Sequence, residues 1–242
     1  MKDLFSQHAS QYAQFRPVYP KELYDFIYAH VTHFGCAWDA GTGNGQAANE
    51  LAKKFITVLA TDISSAQLNQ AIRHHNIQYS VADEVINHPL KSVDLITVAQ
   101  AIHWFDRTRF FECVKKVGKP DAIIAVWGYG LLRINPTVDS IIDNFYYNVI
   151  GSFWDPERKM IDDHYRTIPF PFSEIEAPLF SFSFQWPLEQ LHGYLNTWSA
   201  VRKYIQLHHT NPVDRLIKQL QTHWLNNVEV TFPLFLRIGR VH

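Results

Sequence analysis

In the middle of the chain, short apolar runs alternate with stretches of helical period. CAWDAG (36–41), ITVLATDI (56–63), IQYSVAD (77–83), VDLITVAQ (93–100) and DAIIAVWGYG (121–130) have strand length, and ITVLATDI is rich in β-branched residues. Between them QAANELAKKF (46–55), SSAQLNQAIRHH (64–75) and DRTRFFECVKKVG (106–118) have helical composition. Ser64 or Ser65 suits one helix start, and Asp106 and Gly118 bracket another. Strand, helix, strand at this spacing predicts parallel βαβ units and an open α/β sheet. Ahead of it, Leu4, Phe5, His8, Tyr12 and Phe15 fall at helical spacing, Pro17 and Pro20 punctuate, and a second helix is predicted from about Lys21 to Thr32.

After Gly130 the pattern changes. Ile134 to Phe172 carries helical patches full of aromatics, and IPFPFSEIEAP (168–178) is irregular. LFSFSFQW (179–186) alternates with period two, LEQLHGYLNTWSAVRKYI (188–205) and VDRLIKQLQTHWL (213–225) read as helices, and VEVTFPLFLRIGRV (228–241) as a last strand. Pro233 inside that strand predicts a bend or an edge position. One domain over 1–242 is expected. It comprises cap helices at about 1–34, a binding core at about 35–130, a helical lid insert at about 131–178 and sheet completion at about 179–242.

Composition narrows the class. In 242 residues, 47% hydrophobic and 19% charged, there is enough apolar material for a full core and too much for a disordered chain. The net charge of −1, with both signs scattered, offers no basic stripe, so no nucleic-acid partner is expected. No apolar run reaches the ~18–20 residues that span a bilayer, and the N-terminus has no apolar signal core, so a cytoplasmic protein without a membrane partner is expected. Cys36 and Cys113 read as small core residues in a reducing compartment. The 13 histidines form no HExxH or i,i+4 pair, and no metal is expected.

The sharpest motif is DAGTGNG, Asp39 to Gly45, between a strand and a helix. Glycines at alternate positions let backbone approach a ligand and turn amides toward it. Asp62 ends the second strand, where a carboxylate can accept both hydroxyls of a ribose, and Asp83 ends the third. Ligands of open α/β sheets sit at such carboxyl ends. Gly43, Gly45 and Ala48 also satisfy the GxGxxA dinucleotide pattern. Asp39 would repel a pyrophosphate, however, and suits a ligand bearing an ammonium group. No GxSxG elbow is present, which disfavours a serine hydrolase.

At these residues the chain resembles the class I S-adenosylmethionine-dependent methyltransferases. WDAGTGNG is similar to their glycine motif, TDIS and VAD to the acidic ends of strands two and three, and VDLITVAQAIHWFD to the fourth-strand motif. QYAQFRPVYP and AQAIHWFD resemble the methyltransferase type 11 group that includes trans-aconitate methyltransferases. The resemblance implies a Rossmann-like α/β fold: a seven-stranded, mostly parallel sheet with its last strand antiparallel, helices on both faces and a helical lid. It implies S-adenosylmethionine as cofactor, S-adenosylhomocysteine as product and a small-molecule methyl acceptor. Gly41, Gly43 and Gly45 would lie beside the methionine part, Asp39 near its ammonium directly or through water, and Asp62 on the ribose. Ile63 would pack on the adenine, Asp83 would accept from its amine, and Ala99 and Gln100 would face the methionyl end. Tyr12 and Arg16 would close over the cofactor.

Methyl transfer is an in-line displacement. Positioning can supply about 7–11 kcal/mol of the barrier, against roughly 3–5 kcal/mol for a general base. His103 therefore has two readings, a base or a structural residue. Trp104, Trp127, Tyr146, Tyr147 and Trp154 are candidate pocket aromatics, with Tyr165 as a further lid residue. A carboxylate acceptor would need no base but a cation, for which Arg133 and Arg202 are candidates. The rival functions are a nicotinamide-dependent oxidoreductase and a catalytically silent S-adenosylmethionine-binding protein.

Overall fold

The computed structural model describes Phe15 and residues 17–242. The helix expected over Leu4–Phe15, with Tyr12 and Arg16, lies outside the described residues apart from Phe15. Strands β1 (Cys36–Ala40), β2 (Thr57–Asp62), β3 (Ile77–Val81), β4 (Val93–Ala99) and β5 (Gly118–Tyr129) are parallel, in the order β3-β2-β1-β4-β5. The far edge of β5 takes β8 (Val228–Arg240) antiparallel. The opposite edge of β8 is shared by β6 (Ser173–Ile175), opposite Ile238–Arg240, and β7 (Phe180–Trp186), opposite Val228–Leu234. Seven sheet positions are thus filled by eight strands, because one position is split in two. β6 falls in the stretch read as irregular; with three residues beside Pro171 and Pro178 it is too short to show a period-two pattern.

Pro233 lies in neither a bend nor an edge strand, since β8 has neighbours on both sides. β5 leaves the sheet at this point: Leu234 pairs with Tyr129, and Gly130 N–H donates to the Pro233 carbonyl. The missing proline N–H therefore falls where the neighbouring strand ends.

Helix α1 (Lys21–Ala29), α2 (Gln46–Leu51), α5 (Pro136–Asn144) and α7 to α9 (Leu188–Asn196, Ser199–His208, Pro212–Leu220) pack their apolar sides on one face of the sheet, around Leu95, Ala125 and Trp127. On the other face α4 (Arg107–Val117) and residues Ile161, Tyr165, Ile168 and Phe172 enclose Trp38, Ile96 and Ile124. Short α3 (Ser65–Asn69) is capped by Ser64, which accepts from Gln67 N–H at 3.2 Å, and Asp106 caps α4 through Arg109 N–H. The single helix expected over 188–205 is two. Thr197 Oγ1 donates to the Tyr194 carbonyl at 2.6 Å and Arg202 Nη2 to the Thr197 carbonyl at 2.7 Å, so side chains replace the helix ladder at the break.

The region after Gly130 crosses between the two faces. Val138 to Ile150 packs with the first, and Ile161 to Phe172 with the second. Between them the turn Pro156–Arg158, which leads into α6 (Lys159–Asp162), packs against Ile102–Trp104, just beyond the end of β4. This crossing spans the carboxyl-end rim of the sheet, where β1 and β4 part and the strand order reverses.

Candidate active site

The loop after β1 is built from three glycines with positive φ: Gly41 at 68°, Gly43 at 57° and Gly45 at 83°. They have different jobs. A Cβ on Gly41 would sit 2.6 Å from the Ala101 Cβ, and one on Gly45 would sit 2.3 Å from the Tyr79 hydroxyl. A Cβ on Gly43 would meet nothing within 4 Å. Gly41 and Gly45 are therefore required by the protein's own packing, and Gly43 is the glycine that borders open space. The loop is tied to β2 by Thr42 N–H donating to the Thr61 carbonyl at 2.9 Å.

Asp39 lies wholly buried beneath this loop. Thr42 Oγ1 donates to its Oδ2 at 2.5 Å and Thr97 Oγ1 to its Oδ1 at 2.7 Å. Burial lifts its carboxyl to about 6, against the opposing effect of those hydroxyls. A direct salt bridge to a ligand ammonium, one of the two forms expected, would need an exposed oxygen, which Asp39 lacks. It bolts β1, β4 and the loop together through Thr97 and Thr42. Thr42 and Thr97 were not singled out in the sequence; a hydroxyl three residues after a buried acid was the available signal.

Asp62 accepts from Gly43 N–H and Ser64 N–H, both at 2.8 Å, so the ribose candidate also holds the open glycine in place. Half-buried Ile63 follows it. Asp83 accepts from Val85 N–H at 3.1 Å and pairs with Arg109 Nη2 at 3.3 Å, while Arg109 Nη1 holds buried Glu84 at 2.9 Å. An adenine amine at Asp83 would therefore share that carboxylate with Arg109, a residue missed in the sequence although it faces two acids. Ala99 ends β4, and Gln100 follows at φ 54°, a conformation a non-glycine residue takes only when its surroundings impose it. Gln100 Nε2 donates to the Tyr129 carbonyl at 3.2 Å, whereas its buried Oε1 has no partner.

His103 is buried and its Nδ1 lies 2.9 Å from the Tyr165 hydroxyl. Burial, then the charges of Arg158 and Arg107, pull its pKa down to about 3. Such an imidazole is neutral at pH 7 and a weak proton acceptor, so the geometry favours the structural reading, in which it ties the β4 rim to the crossing segment. Trp104 is half-buried against His103, with ring centroids 4.7 Å apart. Trp127 is fully buried, edge-on to Tyr19 and Tyr24, with an unpartnered Nε1. The Tyr146 and Trp154 rings lie 5.0 Å apart at a tilt of 39° beside Trp198, and Trp154 Nε1 is also buried without a partner. Tyr147 is a correction. At 58% exposed it faces solvent, because its neighbour Tyr146 takes the inward position of that turn. Arg133 is spent on Asp143 at an exposed site, and Arg202 lines a separate cleft of about 490 Å³ between α7 and α8. Arg158, not among the cation candidates drawn from the sequence, lies in the turn packed against Ile102–Trp104 beyond the end of β4. Among the described residues no group of three or more His, Cys, Asp or Glu could hold a metal.

The family described as methyltransferase domain matches residues 38–126, from β1 to β5. A Dictyostelium discoideum protein named as a methyltransferase is 33% identical over 98% of this chain and 95% of its own length. The chain belongs to the class I S-adenosylmethionine-dependent methyltransferases. A type II methyltransferase structure from Anaeromyxobacter dehalogenans superposes with a TM-score of 0.87 at 39% identity, covering 94% of this chain and 98% of that one. A Saccharomyces cerevisiae protein named as an S-adenosylmethionine-dependent methyltransferase is 29% identical over 66% of this chain and 57% of its own length. The expected Rossmann-like methyltransferase fold is thereby met. The residues fit the cofactor: an open cradle at Gly43, a carboxylate at Asp62 and an orphaned polar atom at Gln100 line the rim where it would lie.

Proposed function

We propose that this methyltransferase acts on a small-molecule acceptor, by O-methylation of a carboxylate, in the cytoplasm. Gly43, open beside Asp62 at the switch point of the sheet, carries the reading of the cofactor end. The aromatic crossing segment supports a small acceptor, because half-buried Trp104 and the Tyr146 and Trp154 rings give it apolar surface beside the end of β4. In the proposed complex Asp62 holds the ribose hydroxyls, Ile63 packs on the adenine and Asp83 accepts its amine. Ala99 and Gln100 border the methionyl end. When bound, S-adenosylmethionine supplies an electrophilic methyl group and leaves as S-adenosylhomocysteine. The protein's share is to orient the acceptor in line and to exclude water. A carboxylate is already an anion at pH 7, which agrees with a neutral, weakly basic His103. The fourth-strand run that resembles the group containing trans-aconitate methyltransferases also favours such an acceptor.

Calorimetry with S-adenosylhomocysteine and NADH side by side tests the cofactor. S-adenosylhomocysteine is expected to bind, at least tenfold more weakly in Asp62→Ala. NADH binding alone would end the proposal. Methyl transfer to members of a small-molecule panel, with none to tRNA or protein, tests the acceptor class; binding with no turnover would favour a silent cofactor-binding protein.

A further inference from the structure

A carboxylate acceptor needs a cation at the rim. Arg158 stands there, in the turn that packs against Ile102–Trp104. Its guanidinium lies 4.9 Å from the Trp154 ring centre and 5.5 Å from that of Tyr146. Its Nε donates to the Tyr146 hydroxyl at 2.7 Å, and that hydroxyl donates onward to Asp162 Oδ1 at 2.9 Å. Asp162 Oδ1 itself is 3.7 Å from the Arg158 Nε, beyond hydrogen-bond reach. The side chain is 20% exposed, and neither terminal Nη donates to any acceptor among the described residues.

That arrangement is unusual beside its neighbours. Arg237 is spent on Glu174 and on the Tyr165 and Ile168 carbonyls, Lys203 on Asp155, Arg109 on Asp83 and Glu84, and Arg107 turns back to the Phe105 carbonyl. Arg158 is held at one nitrogen and stacked on aromatic faces, so its fork is fixed while its outer N–H groups are uncommitted. A mostly buried guanidinium in that state gains most from a planar anion, which it can hold through two parallel bonds. Its charge is already felt at His103, which places it beside the end of β4.

We propose that Arg158 is the acceptor-binding cation of this enzyme, receiving a carboxylate group of the substrate between Trp154 and the β4 rim. The proposal rests on the carboxylate reading above, and it makes Arg158 a determinant of specificity. A merely structural Arg158 would bridge Tyr146 and Asp162 and have no bearing on the charge of the ligand.

The test is binding to protein saturated with S-adenosylhomocysteine, titrated with succinate, benzoate and trans-cinnamate, each paired with its neutral primary amide. At least one acid is expected to bind ten times more tightly than its amide. Arg158→Met should bring that ratio below two, Arg158→Gln, which keeps a donor for Tyr146, should do the same, and Arg158→Lys should retain part of it. S-adenosylhomocysteine affinity should stay within twofold in all three. If no acid outbinds its amide, or if the preference survives in both neutral variants, the anchor is overturned while the methyltransferase reading stands. If the wild-type protein fails to bind S-adenosylhomocysteine, that reading falls and the anchor with it.

Discussion

The two sides of the rim are built on opposite plans. On the glycine-loop side nearly every polar group is bonded to the protein itself: Asp39 to Thr42 and Thr97, Asp62 to Gly43 and Ser64, Asp83 to Val85 and Arg109. On the crossing-segment side aromatic rings pack tilted and edge-on against one another, Trp154 Nε1 is buried without a hydrogen-bond partner, and neither Arg158 Nη donates to an acceptor among the described residues. The first plan fixes a shape in advance for one ligand. The second leaves bonding capacity buried, which has a cost unless a ligand supplies the missing partner. A cofactor shared by a whole family suits the first plan, and an acceptor particular to one enzyme suits the second.

If that contrast is right, the severest single change lies on the pre-bonded side. Gly41→Ala places a Cβ at φ 68°, 2.6 Å from Ala101. The strain and the clash together should cost about 2–5 kcal/mol and lower the thermal midpoint by roughly 5–15 °C, with S-adenosylhomocysteine affinity down more than a hundredfold. A variant that melts and binds like the wild type would show the loop to be adjustable.

Next in size is the pH dependence set by Asp39. Its folded carboxyl titrates at about 6, above the 3.8 of the unfolded chain, so the folded state holds the extra proton between those values. Its contribution to stability therefore falls as pH rises from about 4 to 6 and stays at its lower level above that. The full difference corresponds to about 3 kcal/mol. Urea unfolding across pH 4–8 should show Asp39→Asn lacking this downward component relative to the wild type. Parallel curves would mean that Asp39 is as ionisable folded as unfolded.

The same contrast explains what could be read in advance. Parallel strands buried on both faces announce themselves as apolar runs, and a loop that must approach a ligand announces itself in glycine, so β1 to β5, Asp39, Asp62 and the glycines were all visible. Which glycine borders open space was not, because that depends on Ala101 and Tyr79, which come from distant parts of the chain. The crossing segment was visible only as aromatic composition. Whether Tyr146 or Tyr147 points inward is decided by packing on Trp154 and Trp198. Arg133 and Arg202 looked as suitable as Arg158 because charge alone does not reveal which guanidinium the fold has already used.

Tyr165→Phe probes the link between the two sides. Removing the hydroxyl leaves the buried His103 Nδ1 without that partner, for an expected loss of about 1–3 kcal/mol in chemical denaturation. No limb of the kcat/KM pH profile should move between the two proteins, because His103 is held neutral far below 6.5. A limb near 6.5 that moves in the variant would restore His103 as a base.

Tyr147→Ala should do least. The side chain is 58% exposed, and its one ring contact among the described residues is an edge against Tyr146 at 4.9 Å. Truncating an exposed ring away from a cap or a buried bond changes stability by less than about 1 kcal/mol. Acceptor KM should stay within twofold of the wild type, although the adjacent Tyr146 is part of the aromatic wall. The small effect is informative because the two tyrosines are neighbours of identical chemistry. A large rise in KM would mean that the segment turns over when the acceptor binds and brings Tyr147 inward, and the acceptor side would then be assembled by the ligand instead of waiting for it.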